Sequence, residues 1–128
     1  MKTSLDVTTK QLIQIAINAG NAIMDIYKKE TFNQQLKSDN SPLTEADIAS
    51  NNIIIGGLKQ LTPNIPILSE ESAEISWKER KQWDRYWLID PLDGTKEFLK
   101  KNGEFTVNIA LIYKHEPILG VVHAPVLN

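Results

Sequence analysis

The sequence predicts an α+β fold in which two helices pack on a mainly antiparallel sheet. The patterns along the 128 residues are dominated by two long helices in the first half and mostly by strands after them. The last two strand patterns are joined by a short polar segment, which is typical of a β-hairpin. The composition, 41% hydrophobic and 23% charged residues, is that of a globular domain.

The first helix is predicted over residues 8–29. Its apolar residues recur at steps of three and four, which places them on one helical face. Thr8 and Gln11 have the spacing of a capping box at its start. We expect the buried face to contain Leu12, Ile15, Ala16, Ala19, Ile23, Ile26 and Tyr27.

The second helix is predicted to begin near Thr44, the natural N-cap, with Glu45 and Asp47 in its first turn. Thr62-Pro63 ends it. The Gly56-Gly57 pair weakens the helix by roughly 1 kcal/mol per glycine relative to alanine, so close packing against a neighbour would explain it. We expect its buried face to contain Ile48, Ile54, Ile55, Leu58 and Leu61.

Five strands and two short helices complete the prediction. The clearest strand, Phe105–Tyr113, alternates between apolar and polar residues. Strands are predicted over residues 32–37, 65–68, 86–89, 105–113 and 118–124, short helices over 76–83 and 96–101, and turns over 38–42 and 114–117.

Composition excludes several function classes. The chain has no cysteine, so disulfides, thiolate zinc sites and cysteine nucleophiles are ruled out. A net charge of -2 gives no reason to bind nucleic acid. There is neither a membrane-spanning apolar run nor an N-terminal secretory signal. We expect a cytoplasmic protein.

Acidic residues follow two apolar runs. Glu70 and Glu71 come after the 65–68 run, and Asp90 and Asp93 after the 86–89 run. Burying a carboxylate costs several kcal/mol unless it is paired or bound to a metal. Strand ends can direct such groups into a cleft. Each motif taken alone is more often a solvated loop or a common turn.

The segment from Asp90 to Thr95 is predicted to be a stiff turn. Pro91 fixes its own φ, so Asp90 and Asp93 can converge on one point, joined by the Leu92 carbonyl. Gly94 allows a phosphate to approach the backbone, and Thr95 offers a hydroxyl. Oxygen ligands without a well-placed histidine favour Mg²⁺, and several acids suit two or more ions acting on a phosphate ester.

The segment does not fit a second phosphatase type, and the two histidines have no evident part in the acidic cluster. The Leu92–Thr95 segment superficially matches haloacid dehalogenase phosphatases, but proline occupies position 91, where their nucleophilic aspartate would stand. His115 and His123 lie away from the acids in sequence, and both are interpreted as ordinary surface or sheet histidines.

Three blocks together resemble the inositol monophosphatase superfamily of Mg²⁺-dependent, Li⁺-sensitive phosphatases. They are Ser41–Asp47 (SPLTEAD), Leu68–Ser72 (LSEES) and Trp87–Thr95 (WLIDPLDGT). Lys96-Glu97-Phe98 and Asn102–Ile112 are similar to the bisphosphate nucleotidases within it. The resemblance implies the layered α/β sandwich of the inositol monophosphatase and fructose-1,6-bisphosphatase type, of which this chain would be the N-terminal αβ half.

The resemblance also implies a reaction and a set of roles. The reaction is hydrolysis of 3'-phosphoadenosine 5'-phosphate to AMP and phosphate, which clears a by-product of sulfate assimilation. Asp47 and Thr95 would orient and deprotonate the attacking water, and Glu71 would hold a further water near the metals. The metal ligands would be Glu70, Asp90, Asp93 and the Leu92 carbonyl. The substrate phosphate would border Glu70, Leu92, Asp93, Gly94 and Thr95.

Family members are roughly twice as long, and their second half supplies another metal-binding aspartate and most nucleoside contacts. No such block occurs here, so we expect residues 1–128 to be the metal-binding domain without the C-terminal substrate-pocket domain. Two or three Mg²⁺ ions are expected in the complete enzyme. The isolated chain should bind Mg²⁺ weakly, turn over slowly or not at all, and expose a sheet edge capable of self-association.

Two alternatives stay open. The first is an inositol or sugar monophosphatase of the same superfamily, against which Lys96-Glu97 argues moderately. The second is a non-catalytic metal-binding or assembly module. A basic cluster at Lys78, Arg80, Lys81 and Arg85 is interpreted as a solvated helix face, with attraction of an anionic substrate or peripheral binding to the inner membrane as the weaker alternative.

Overall fold

A computed structural model describes residues 2–29, 42–69, 82–94 and 103–127. Within these ranges the elements are α1 (Lys2–Lys29), α2 (Pro42–Leu61), β1 (Ile67–Ser69), β2 (Arg85–Asp93), β3 (Thr106–Tyr113) and β4 (Glu116–His123). The strands form one sheet in the order β1-β2-β3-β4. β1 runs parallel to β2, whereas the β2–β3 and β3–β4 pairs are antiparallel. The predicted α+β architecture is confirmed.

The core lies between the two helices and one face of the sheet. Every residue of the predicted α1 stripe is buried or half-buried, and Leu12, Ala16 and Ile23 are completely so. The sheet contributes side chains from β2, from β3 and from the residue before β3, namely Trp87, Ile89, Phe105, Val107, Ile109 and Leu111. Alternation along β3 gives the sheet one apolar face and one more polar face.

Polar and aromatic contacts fix the helices on this core. The Trp87 indole Nε1 donates a hydrogen bond to Thr62 Oγ1 over 2.9 Å, which satisfies the one polar atom of a fully buried side chain. Tyr27 packs on Phe105 with ring centroids 5.0 Å apart. The C-terminal ends of both helices are thereby tied to the sheet.

The two adjacent glycines of α2 have different surroundings. A Cβ on Gly57 would lie 2.8 Å from the Ile15 side chain, so Ile15 would have to move to admit one. A Cβ on Gly56 would meet nothing within 4 Å. Close packing therefore explains Gly57 and not Gly56.

The predicted start of the second helix was wrong. The helix begins at Pro42, so Thr44 lies within it and Asp47 lies beyond the first turn. Proline is favoured at a first helical position because its missing N–H would have no intrahelical partner there. Ile48, predicted to be buried, is 53% exposed, because the buried face runs through Ala46, Ser50, Ile54 and Leu58.

Strand boundaries also differ from the predictions. β1 is shifted to Ile67–Ser69, and β2 continues through Asp93, where a turn was predicted. The hairpin turn contains only Lys114 and His115, both with positive φ, as a two-residue hairpin of this twist requires. Residues 116 and 117, predicted to be in the turn, are paired in β4.

Several predictions lie outside the described residues. They are the strand over 32–37, the turn over 38–41, the helices over 76–81 and 96–101, and the site residues Glu70, Glu71 and Thr95. Residues 82 and 83, the end of one predicted helix, are not helical. Arg85, interpreted as part of a solvated helix face, is instead the first residue of β2, and Lys78, Arg80 and Lys81 lie outside the described residues. Among the helices that the structure describes, none is long and apolar enough to cross a membrane.

Candidate active site

The candidate site lies where β1 and β2 end. These strands are parallel, and Ser69, the last residue of β1, pairs with Ile89 of β2. Asp90 is the next residue along β2, and Glu70 is the next residue in the chain after β1. Adjacent parallel strands end at the same edge of a sheet. Asp90 lies at this edge, and Glu70 directly follows in sequence the strand that ends there.

A β-bulge places Asp90 and Asp93 on one face of the sheet. Asp90 pairs with Asn108 and Asp93 with Thr106, so three steps along β2 match two steps along β3. Asn108 and Thr106 are two positions apart and share a face, and residues directly opposite each other share that face as well. Without the bulge, Asp90 and Asp93 would point to opposite faces.

Pro91 accounts for the position of this irregularity. It is fully buried within β2, where a proline cannot donate a ladder hydrogen bond. Bulges tolerate such a residue and redirect side chains. The segment is therefore a bulged strand end, not the free turn that the sequence predicted.

The Asp93 carboxylate is exposed and hydrogen-bonded to a neighbouring strand. Asn108 Nδ2 donates to Asp93 Oδ2 over 3.1 Å and to Thr106 Oγ1 over 3.3 Å. Both contacts lie on the same face as Asp90, because Asn108 is its direct pairing partner. This face of the bulge thus carries two carboxylates with an amide donor between them.

On the face of the sheet opposite to these carboxylates, α2 forms hydrogen bonds with the ends of β1 and β2. Ser50 Oγ donates a buried 2.8 Å hydrogen bond to the Pro91 carbonyl. The next residue, Asn51, accepts a 2.6 Å hydrogen bond from Ser69 Oγ. Two adjacent residues of one helix therefore fix the end of β1 and the bulge of β2 relative to each other.

Asp47 lies one helical turn before Ser50, on the same face of α2. Its residue exposure is only 9%, and its Oδ1 atom is buried. Burial of a carboxylate is costly and is more frequent at functional sites than elsewhere. The helix thus brings this third acid to the side of the sheet on which Ser50 meets Pro91.

Gly94 follows the bulge with φ of 96°, a conformation that other residues rarely adopt. Leu92 is buried at 3% exposure. Thr95, Glu70 and Glu71 lie outside the described residues, so the predicted site is only partly visible.

The described donors fit a hard divalent cation by their chemistry. Asp90, Asp93 and the Leu92 carbonyl offer oxygen atoms only, which suits Mg²⁺. The described ranges do not bring together three or more His, Asp or Glu side chains in a metal-binding group.

Neither histidine belongs to this site. His115 is exposed in the hairpin turn. His123 ends β4 and packs against α1, where a Cβ on Gly20 would lie 2.8 Å from its ring. Burial lowers the pKa of His123 below its ordinary 6.5. These positions agree with the interpretation of both as turn or sheet histidines.

Sequence reasoning missed four polar residues at the site: Ser50, Asn51, Ser69 and Asn108. Two of them carried a signal. Ser50 follows Asp47 by three residues in a helix, and Asn108 occupies a strand position, where asparagine is disfavoured.

Comparison with known proteins gives a consistent pattern. The model of the inositol monophosphatase family matches residues 4–128. The 3'(2'),5'-bisphosphate nucleotidase CysQ of Escherichia coli K12 is 58% identical over 119 residues, which are 92% of this chain and 48% of that protein. The namesake from Haemophilus influenzae is 45% identical over 118 residues, 92% of this chain and 44% of that protein.

Solved structures show the same likeness. CysQ from Bacteroides thetaiotaomicron superposes with a TM-score of 0.84 at 42% identity, covering 94% of this chain and 43% of that one. An inositol monophosphatase from Anabaena gives a TM-score of 0.77 at 25% identity, covering 97% and 42%. The chain thus spans about half the length of the relatives that it matches.

Proposed function

The chain belongs to the inositol monophosphatase family, and we propose that it is the metal-binding part of a 3'(2'),5'-bisphosphate nucleotidase. The reaction would be hydrolysis of 3'-phosphoadenosine 5'-phosphate to AMP and phosphate. One observation carries the chemistry: the bulge that puts Asp90 and Asp93 on one face, at the edge where β1 ends. The proposed substrate rests on the names of the relatives.

Glu70, Asp90, Asp93 and the Leu92 carbonyl would hold Mg²⁺. When bound, Mg²⁺ would polarise the phosphate and favour ionisation of the attacking water. Glu70 is included because it follows Ser69, whose partner Ile89 precedes Asp90. Three carboxylates and one carbonyl form the oxygen set that this cation prefers.

The remaining roles concern proton transfer and positioning. The Thr95 hydroxyl would accept a proton from water and pass its own to Asp47, whose burial keeps that acceptor in a dry, fixed position. Glu71 would hold a second water molecule. The Gly94 backbone, with its positive φ, would let the substrate phosphate approach the segment from Leu92 to Thr95.

Phosphate release from 3'-phosphoadenosine 5'-phosphate with Mg²⁺, with and without Li⁺, tests the activity. We would assay this chain alone and a chimera in which it replaces the corresponding half of the E. coli relative. The chain alone should turn over slowly or not at all, and the chimera should be active and inhibited by Li⁺. An inactive but folded chimera would contradict the proposal.

Asp93→Asn in the chimera tests the assignment of the ligand. The substitution removes a charge while keeping the size of the side chain, so kcat should fall about 100-fold, as expected when several kcal/mol of charge stabilisation are lost. Asp84→Asn, an exposed acid before β2, is the matched control and should leave kcat unchanged.

A second candidate substrate class is inositol or sugar monophosphates, favoured by the 0.77 TM-score with the Anabaena enzyme. Inositol 1-phosphate in the same assay separates the two classes. Preference for it over the bisphosphate nucleotide would replace the proposed substrate while keeping the metal site. A non-catalytic module is the remaining alternative, and an active chimera would exclude it.

A further inference from the structure

The Asn108 side chain donates a hydrogen bond to Asp93, one of the two acids of the bulge. We propose that Asn108 is a positioning residue that holds the Asp93 carboxylate in the orientation needed for cation binding. This inference rests on the proposed function, because it assigns a task to a residue beside the proposed metal ligands.

The direction of the hydrogen bond follows from chemistry. An ionised carboxylate only accepts hydrogen bonds, so the amide nitrogen of Asn108, and not its oxygen, must face Asp93 Oδ2. The same nitrogen also lies 3.3 Å from Thr106 Oγ1. Its two hydrogens can therefore serve two acceptors at once, which fixes the plane of the amide.

The backbone of Asn108 is held on both sides. It pairs with Asp90 of β2 and with Val122 of β4, in the interior of the described sheet. Asp93, in contrast, is an exposed residue at the end of its strand. A donor on a rigid strand thus restrains a carboxylate whose own backbone position is less constrained.

This arrangement resembles the outer partners of metal ligands. Such partners orient the ligand, and their loss lowers metal affinity by about 10- to 100-fold. Asparagine is disfavoured in strands, so its presence in the interior of the described sheet calls for a compensating role. A hydrogen bond that orients Asp93 supplies one.

The alternative is that Asn108 only stabilises the bulge. The two roles predict different effects of losing the Asn108 donor on the affinity of the protein for Mg²⁺. A purely structural role would change the free energy of unfolding and leave the affinity for Mg²⁺ unchanged. A positioning role would lower the affinity even in a variant that is folded and equally stable.

The experiment compares two substitutions with the unchanged chain. Asn108→Leu keeps the branched shape but removes the donor, whereas Asn108→Gln keeps the carboxamide on a longer side chain. Asn18→Ala, which removes an exposed amide of α1 that bonds to Gln14, is the matched control. Mg²⁺ dissociation constants come from calorimetric titration, and circular dichroism checks that each variant is folded.

We expect Asn108→Leu to weaken Mg²⁺ binding about 10-fold, Asn108→Gln to weaken it less, and Asn18→Ala to leave it unchanged. Equal affinities for the unchanged chain and Asn108→Leu would overturn the inference. Equal weakening by Leu and Gln would overturn it too, because altered packing and not the donor would then be the cause.

A measurement without metal separates this inference from the proposed function. At one fixed pH, the carboxyl ¹³C resonance of Asp93 should shift in Asn108→Leu and not in Asn18→Ala. An unmoved resonance would overturn the inference. Absence of Mg²⁺ binding by the unchanged chain would instead count against the proposed function, with the resonance still deciding whether Asn108 holds Asp93.

Discussion

The Ser50 hydroxyl links α2 to the segment that carries Asp90 and Asp93. It is completely buried and donates to the Pro91 carbonyl, 41 residues away in sequence. A hydrogen bond of this kind contributes to stability mainly because its loss leaves a buried polar group without a partner.

We expect Ser50→Ala to lower the free energy of unfolding by about 1–2 kcal/mol, since the Pro91 carbonyl loses its buried donor. Urea denaturation measures this change. Asn52→Ala, two residues further along α2 and exposed, is the control and should stay within about 0.5 kcal/mol of the unchanged chain. A similar small effect for Ser50→Ala would mean that the bulge does not depend on α2.

At this scale, local sequence pattern points to Asp90 and Asp93 as candidate ligands, because they follow an apolar run and lie in a recognisable motif. Their role as ligands stays a prediction, and the pattern does not point to the residues that contact this segment. The roles of Ser50 and Asn108 depend on how α2 docks and on the register of β2 against β3. Contacts between residues distant in the chain are not encoded in a local pattern.

Among the helices and strands, too, some features could be predicted from the sequence and others could not. The body and end of α1 were predictable because a long 3.6-residue period dominates its sequence. Its start was predicted wrongly, since the helix begins at Lys2 and Thr8 lies inside it rather than at a cap. The start of α2 was not, since Thr44 is an acceptable N-cap and Pro42 an acceptable first residue. The bulge in β2 was also not predictable, because an Asp-Pro-x-Asp-Gly segment is typical of a turn and only its pairing with β3 makes it a strand.

The contact between α1 and α2 leads to opposite expectations for two adjacent glycines. Gly56→Ala should raise the free energy of unfolding by about 0.5–1 kcal/mol, because open space surrounds the new methyl group and alanine favours a helix. Gly57→Ala should lower it by about 1 kcal/mol, because Ile15 must move to admit the methyl group. Thermal or urea unfolding of the pair measures both, and equal effects would contradict the close helix contact.

The contact between α1 and β4 should make stability depend on pH. Burial lowers the pKa of His123 below 6.5, so the unfolded chain binds this proton more tightly than the folded one. The full contribution to stability is present above pH 6.5 and is lost as pH falls toward the lowered value. Urea unfolding between pH 8 and pH 5.5 should show this loss.

His123→Gln should remove this part of the pH dependence, whereas His115→Gln, in the exposed turn, should leave it in place. The two substitutions are a matched pair because they delete the only histidines of the chain, one half-buried and one exposed. An unchanged slope in His123→Gln would show that other groups titrate in this range.

At the scale of the whole molecule, the described sheet has apolar side chains on its outer face. Leu88 and Ala110 pair across β2 and β3, and Val122 pairs with Asn108, so all of them share the face away from the buried Ile89 and Ile109. Val122 is 72% exposed and Leu88 36%. β4 is the last strand in the described order and has a strand neighbour on one side only. Such an edge with an apolar flank favours pairing between chains.

We therefore expect the chain to associate in a concentration-dependent way through β4. Val122→Lys should reduce the association, because a lysine on an edge strand opposes pairing with a second strand. Leu127→Lys is the matched control, since Leu127 is 80% exposed but lies beyond β4. Sedimentation velocity over a range of protein concentrations measures the effect. Because both variants add one charge and remove one exposed apolar side chain, a difference between them depends on position in the sheet and not on charge. Equal sedimentation of the two variants, or a chain that stays monomeric throughout, would remove β4 as the contact surface.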